Sequence, residues 1–292
     1  MGAISFGLCA ALAWGVHDIL VRYVSQKIGI LISLLLVLVF GAVAQAILIG
    51  LFGQPTNVSS KGIQLSAAAG VVFSVACIGH YKAFQRGPVR LVAPVIGCYA
   101  ALAFVIAAVS GKVVSTPQWF ALIVLIAGIG LVARSSETNL DEETDPDAYP
   151  VGKTLIYCLM AMIGFATTFE LGQRASAQDD PFSSSLITRC ITILIVSALL
   201  IFQTRKQTTH FVWPDKSTLL VLVGMGILDA IALGVVLAAG IFPRPEFASA
   251  ASSIFGLVTV VLAWAFMRER INSIQWTGIA AVFGAIAYLA SA

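Results

Sequence analysis

The sequence predicts an all-α integral membrane protein of ten transmembrane helices, arranged as two inverted five-helix repeats. Three observations predict this fold: a very apolar composition, continuous apolar runs of about 20 residues, and one pattern that occurs in each half of the chain. Hydrophobic residues make up 59% of the sequence and charged residues 11%, whereas a soluble domain usually carries about a quarter charged residues. The runs are continuous instead of alternating in polarity, so the spans are predicted to be helices and not barrel strands.

The apolar runs divide the chain into ten spans, most of them joined by very short connections. One long polar stretch, SSETNLDEETDPDAYP at residues 135–150, is interpreted as a solvated acidic linker. It separates a first five-helix repeat at residues 1–134 from a second at 151–292. The predicted spans are residues 3–24, 28–52, 63–85, 89–110, 117–134, 151–175, 182–203, 217–241, 247–267 and 274–291.

The pattern shared by the two halves lies 157 residues apart, at residues 88–132 and 245–289. The two stretches have six identities in 45 aligned positions, but both read as an apolar helix, a short charged turn, the dipeptide Gln-Trp, and a second apolar helix. Five crossings per half is an odd number, so a second copy begins on the opposite side of the membrane. This predicts an inverted repeat, an arrangement that many secondary transporters use.

Ionisable residues at membrane depth are costly and are therefore candidate functional residues. Asp229 lies in the middle of the eighth span, where it either couples protons, binds a substrate amine, or pairs structurally with a buried arginine. Arg189 in the seventh span is the expected partner in the last case. If Arg189 instead binds a substrate carboxylate or phosphate, the substrate is anionic.

The first span supplies a second group of candidates. Trp14 and His17 are three residues apart and share one helix face, which offers an aromatic wall and a titratable group for a small organic ligand. The alternative for Trp14 is ordinary packing or interfacial anchoring. Asp18 and Arg22 are four apart, which predicts a local ion pair. Because His17 and Asp18 lie about 100° apart around the helix, one of the two is expected to face a central cavity.

Two further candidates lie in other spans. At the end of the third span, His80 is either a helix-end residue satisfied by water or a proton carrier, and Tyr81 and Lys82 beside it are expected to form a polar, partly basic mouth. Glu170 in the sixth span is a candidate, although Arg174 four residues later predicts a structural pair.

Several classes of function are disfavoured by the sequence. The five cysteines form no CxxC pair and no spacing suited to zinc, and they are predicted to pack as small apolar residues. No motif for nucleotide binding or hydrolytic catalysis occurs, so the chain is predicted to be no enzyme and to need no cofactor or metal. The basic residues are scattered at helix ends, which argues against nucleic-acid binding. The expected partners are a small-molecule substrate, the lipid bilayer, and protons as a candidate coupling ion, with the chain acting as a monomer or homodimer.

Several motifs together resemble the EamA-type transporters of the drug/metabolite transporter superfamily. They are Ala13-Trp14-Gly15, Pro94 near the start of the fourth span, the turn Arg268-Glu269-Arg270, and Gln275 before a glycine-rich last helix. The family usually has an acidic residue in the turn after the fourth helix, where this chain has Lys112. The resemblance implies that both termini are cytoplasmic. The connections on the side of the membrane opposite the termini carry more Lys and Arg residues than those on the same side, which favours the reverse orientation, with both termini outside.

From the residues and this resemblance we predict a permease in the plasma (inner) membrane of a bacterium. Its expected substrate is a small polar or amphipathic metabolite, such as an amino acid or related compound, moved by alternating access. The alternatives are an exporter of lipid-linked or xenobiotic compounds and a membrane scaffold without transport.

Overall fold

The structure is a computed structural model that describes residues 2–52, 58–111, 113–142, 150–206 and 213–291. Every regular element in these ranges is helical. The α-helices are α1 (Gly2–Val24), α2 (Ile30–Phe52), α3 (Ser60–Arg86), α4 (Val89–Gly97), α5 (Tyr99–Val109), α6 (Thr116–Glu142), α7 (Val151–Ser176), α8 (Pro181–Arg205), α9 (Lys216–Ala238), α10 (Glu246–Ser252), α11 (Phe255–Leu262) and α12 (Ser273–Ser291). A short 3₁₀ turn, Ala239–Ile241, follows α9, and a π-helical turn, Ala263–Met267, follows α11.

The prediction of about ten transmembrane helices is confirmed. Eight spans are long and apolar enough to cross a membrane, and two shorter apolar helices, Thr116–Val132 and Ser273–Leu289, are the fifth and tenth. The fourth span consists of α4 and α5, and the ninth consists of α10 and α11. The chain is thus an integral membrane protein built from helices alone in its described part.

One boundary differs clearly from the prediction. Helix α6 continues to Glu142, eight residues beyond the predicted end at 134, so the first half of the acidic stretch is helical. Hydropathy marks where a helix leaves the lipid, whereas the backbone hydrogen bonds of a helix can continue into water. Residues 143–149 of the predicted linker lie outside the described residues.

The main contacts between spans follow a two-fold pattern. Each span of the first half corresponds to the span five later, and where two spans make a main contact, their two counterparts do so as well. The third span packs on the sixth, and the first packs on the eighth. The second packs on the eighth, and the third on the seventh; the first packs on the ninth, and the sixth on the fourth. The second and seventh, fourth and ninth, and fifth and tenth spans pack on their own counterparts. This pairing is what an internal duplication predicts.

The fourth and ninth spans show that the two copies are inverted. Helix α4, which begins the fourth span, contacts α11, which ends the ninth, while α5 contacts α10. The two spans therefore run antiparallel. Since they are counterparts in the repeat, the second half lies in the opposite orientation to the first.

The charged turns also match at the level of the backbone. Gly111 and Arg268, 157 residues apart, both have positive φ angles, of 86° and 56°. Four residues after each of them, the N-cap residue donates its backbone N–H to a glutamine side chain: Ser115 to Gln118 at 2.8 Å and Asn272 to Gln275 at 3.1 Å. In both turns glutamine occupies the third helical position, and at the second turn Asn272 completes a capping box by accepting the backbone N–H of Gln275 at 2.8 Å. The repeated Gln-Trp pattern thus marks the start of the last helix in each half.

Glu269 joins the two halves at the second of these turns. Its carboxylate accepts the backbone N–H of Val89 at 2.9 Å and that of Arg90 at 3.1 Å. These are unpaired N–H groups at the N-terminus of α4, where a negative charge is also favoured by the helix dipole. Lys112, the counterpart of Glu269, lies outside the described residues.

Candidate functional site

A central cavity lies where the two halves meet. Residues from α1, α2, α3, α7 and α9 line it, together with the first residues of α5 and α11. These last two helices begin at the breaks in the fourth and ninth spans. In membrane proteins, interrupted helices are tolerated where they are buried in protein or line a cavity.

The two breaks have different residues beside them. Pro94 lies inside α4, where it lacks a backbone N–H for the helical hydrogen-bond pattern. The ninth span has no proline at its break. There the hydroxyl groups of Ser252 and Ser253 donate to the backbone carbonyl groups of Ser249 and Ala250 at 2.9 and 2.7 Å. Such local bonds compete with the helical pattern.

Asp18 is the centre of a buried polar cluster on one wall of the cavity. Its Oδ1 lies 3.1 Å from His17 Nδ1 and 3.2 Å from His80 Nε2. The aspartate is fully buried, with 0% of its surface exposed, and both histidines are buried. The predicted pair between Asp18 and Arg22 is therefore wrong, because Arg22 instead donates to the backbone carbonyl groups that end α3, those of Phe84 and Gln85, at 2.7 and 3.0 Å.

Asp229 forms a second buried cluster. Its Oδ2 accepts a hydrogen bond from Arg189 Nη1 at 2.7 Å, and its Oδ1 accepts one from Trp14 Nε1 at 3.2 Å. Behind it, Arg189 Nε donates to Gln45 at 3.3 Å, and Gln45 donates to Ser185 at 2.7 Å. Asp229 lines the cavity, whereas Arg189 is fully buried and does not. Of the roles predicted for Arg189, the structural partner of Asp229 is the one that the geometry supports.

The helix packing explains how an arginine fits at this depth. Arg189 lies against Gly41 of α2, where a Cβ atom would come within 2.7 Å of Nη1. Gly41 in turn faces Gly226 of α9: an added Cβ at Gly41 would lie 2.8 Å from the Gly226 carbonyl oxygen. The two glycines let α2 and α9 approach closely and leave space for the guanidinium.

Aromatic side chains form most of the remaining wall. Trp14 and Phe169 stack with ring centroids 5.5 Å apart, and Phe165 and Phe169 stack at 5.9 Å. Tyr99 at the start of α5 stacks on Phe255 at the start of α11, with centroids 6.1 Å apart and planes within 9°. The cavity thus combines two polar clusters with a broad aromatic surface.

Six of the eight predicted site residues line this cavity: Trp14, His17, Asp18, His80, Tyr81 and Asp229. His17 and Asp18 both face it, although only one of them was expected to do so. Their side chains contact each other and so point to the same side of the helix. Glu170 does not line it; its carboxylate pairs with Arg174 at 2.6 Å, as the spacing predicted. His80 lies in the cavity wall and not at a peripheral mouth.

The sequence reasoning missed the aromatic wall and Gln45. Tyr99 could have been found from Pro94, which predicts a break in the fourth span just before it, whereas no proline marks the break before Phe255. Phe165 and Phe169 are four apart on α7, a spacing that fits a core face equally well, so the sequence carries no signal that separates the two roles. Among the described residues, no group of three or more His, Cys, Asp or Glu side chains is suited to hold a metal ion.

An antiparallel repeat of five spans, with broken helices meeting at a polar and aromatic cavity, is the architecture of a membrane transport protein. The sequence comparison agrees: the model of the EamA-like transporter family matches residues 152–291, which form the second repeat. In this half the chain is similar to the EamA-type transporters of the drug/metabolite transporter superfamily. The resemblance seen in the sequence motifs is therefore confirmed.

Two other comparisons complete the result. The chain is similar to a solved structure titled "Crystal structure of protein", with a TM-score of 0.68 and 12% sequence identity, over 98% of this chain and 95% of that one. At this identity the likeness shows the fold alone. A search of curated proteins finds no match.

Proposed function

We propose that this transporter is a secondary carrier, which moves a small polar or amphipathic metabolite, such as an amino acid or related compound, by alternating access. The observation that carries the proposal is the position of the cavity. It lies where the two inverted halves meet and where both broken spans begin their second helices. In carriers built from inverted repeats, substrate sites typically lie at this interface.

The absence of a nucleotide-binding motif from the sequence supports a carrier driven by an ion or substrate gradient. Protons are the proposed coupling ion. Asp18 with His17 and His80 is the better candidate for this role than Asp229, because the charge of Asp229 is already matched by Arg189. A plasma (inner) membrane of a bacterium is the proposed location.

The competing proposal is a scaffold without transport, in which buried polar groups pair with one another. The pair between Asp229 and Arg189 fits a scaffold as well as a carrier. The cluster at Asp18 favours a carrier, since one oxygen of this buried carboxylate has no hydrogen-bond partner among the described residues.

The test is counterflow in proteoliposomes loaded with pooled metabolites, with uptake of labelled amino acids, amines and organic acids measured one at a time. Saturable exchange of at least one compound, absent from empty liposomes, is the expected result. The variant Glu170→Gln serves as a matched control because Glu170 lies outside the cavity. No saturable exchange across the pool, from protein shown to be folded by its helical circular dichroism, would favour the scaffold.

A further inference from the structure

The cavity wall formed by α1 and α3 carries polar atoms that lack a partner. Asp18 Oδ2, His17 Nε2 and the Tyr81 hydroxyl are buried and make no hydrogen bond to any described residue. All three side chains line the cavity. A buried polar atom without a partner costs about 1–3 kcal/mol, so three such atoms on one wall indicate a surface that is completed by a ligand.

The charges around the cavity indicate the sign of that ligand. The Asp229 carboxylate is matched by the Arg189 guanidinium at 2.7 Å. Asp18 contacts the imidazoles of His17 and His80, which carry a charge only if they are protonated. No Lys or Arg is among the described residues that line the cavity. When both imidazoles are neutral, the lining presents one negative charge without a cationic side chain beside it, which attracts a cation and repels a carboxylate or phosphate.

The remaining wall indicates the body of the ligand. Phe165 and Phe169 form a stacked aromatic surface, and Tyr99 and Phe255 form another at the breaks in the two spans. Aromatic faces attract organic cations and pack against flat apolar groups.

We propose that Asp18 is the substrate-binding carboxylate and that the substrate is an organic amine with one positive charge and an aromatic or similarly apolar body. This narrows the proposed metabolite from amino acids and related compounds to amines that carry no carboxylate. Its ammonium group donates to Asp18 Oδ2, and its apolar body packs on the aromatic wall. Asp229 has a different role: with Arg189 and Trp14 it holds α1, α8 and α9 together. The role of this amine as a transported substrate rests on the proposed carrier function. Its binding to Asp18 can be measured without transport.

The test compares three ligands that share one ring and differ in charge: 2-phenylethylamine, 2-phenylethanol and phenylacetate. Their binding to the full chain in detergent is measured by isothermal titration calorimetry at neutral pH. The amine is expected to bind about tenfold or more tightly than the alcohol, because it gains a charge-assisted hydrogen bond in a buried site. Phenylacetate is expected to bind more weakly than the alcohol.

The variants assign this preference to a residue. Asp18→Asn keeps the size of the side chain and removes its charge, so the preference for the amine over the alcohol is expected to fall to about twofold or less. Asp215→Asn, at an exposed carboxylate before α9, should leave the preference unchanged. If Asp18→Asn does not fold, the ligand series on the native chain still decides the sign of the charge, and Tyr81→Phe, which removes one hydroxyl, tests the same wall.

Each outcome separates the two proposals. Equal binding of the amine and the alcohol, or tighter binding of phenylacetate, overturns the amine assignment and leaves the carrier function standing if counterflow is observed. An amine preference that survives Asp18→Asn overturns the role of Asp18. Amine binding that depends on Asp18, without counterflow of any compound, supports the assignment and overturns the carrier function.

Discussion

Breaking the ion pair between Arg189 and Asp229 should lower the free energy of unfolding more than removing any single charged side chain on the surface. Arg189 is 0% exposed, and its Nη1 lies 2.7 Å from Asp229 Oδ2. Replacing Asp229 with leucine leaves the guanidinium buried with Gln45 as its remaining side-chain acceptor. Removing one partner of a buried ion pair typically costs about 3–5 kcal/mol, and that is the loss expected for Asp229→Leu.

The double variant Arg189→Met with Asp229→Leu removes both charges. It should recover most of the lost stability, because no buried charge is left without a partner and the new side chains are apolar. The free energy of unfolding is measured by titration with SDS in mixed micelles, followed by helical circular dichroism. The double-mutant cycle then gives the coupling energy of the pair.

Glu170→Gln is the control for this cycle. The pair between Glu170 and Arg174 is partly exposed, with side-chain exposures of 27% and 52%, so its loss should change the unfolding free energy by about 0.5 kcal/mol or less. A cost below about 1 kcal/mol for Asp229→Leu, or a double variant no more stable than the single one, would show that the pair is not closed in the folded protein. Arg189 would then be available to bind an anionic substrate.

Three smaller changes test the repeat and its packing by the same unfolding assay. Glu269→Ala removes the acceptor for two backbone N–H groups of α4 and should cost about 1–2 kcal/mol, while Glu269→Gln should cost less; equal stability of all three proteins would contradict the capping role. Arg268→Gly relieves a positive φ of 56° and should stabilise by about 0.5–1 kcal/mol, whereas a loss of stability would mean that the arginine side chain has a contact that outweighs the strain. Gly226→Ala would place a Cβ 2.8 Å from the Val37 carbonyl oxygen and should cost about 1–3 kcal/mol; Gly224→Ala is the matched control, since its Cβ would meet nothing within 4 Å, and similar costs for the two would argue against close packing of α2 and α9.

The sequence was sufficient to predict the spans because hydropathy is a local property. A window of residues reports directly whether a helix is stable in lipid. It does not report where the helix ends in water, which is why α6 runs on to Glu142 beyond the predicted boundary. The break in the ninth span could not be predicted either, since no proline marks it.

The identity of the site residues was predictable, but their partners were not. A charged residue inside an apolar run is conspicuous, and Asp229, Asp18 and His17 were found on that basis. Spacing along one helix suggested Arg22 as the partner of Asp18, but His80 on another helix takes that place. Contacts between distant parts of the chain depend on how helices rotate against each other, and a single sequence does not record that rotation.

The aromatic residues of the cavity show the same limit of prediction from a single sequence. In a chain where 10% of residues are Phe, Trp or Tyr, an aromatic residue on an apolar helix has no feature that distinguishes a cavity wall from ordinary packing. Phe165 and Phe169 became part of the site only when the fold placed α7 beside the breaks in the fourth and ninth spans.

The two charged turns have the same backbone shape but depend on different parts of the chain for their stability. The first turn has glycine at the position of positive φ, so its shape is available at little cost from residues close in sequence. The second has Arg268 there, and the bonds that stabilise it join Glu269 to the start of α4, about 180 residues away. The first turn can therefore form as soon as its own helices are in the membrane, whereas the second gains its full stability only after the first repeat is in place. The order of synthesis matches this requirement, since α4 is made before the turn that caps it.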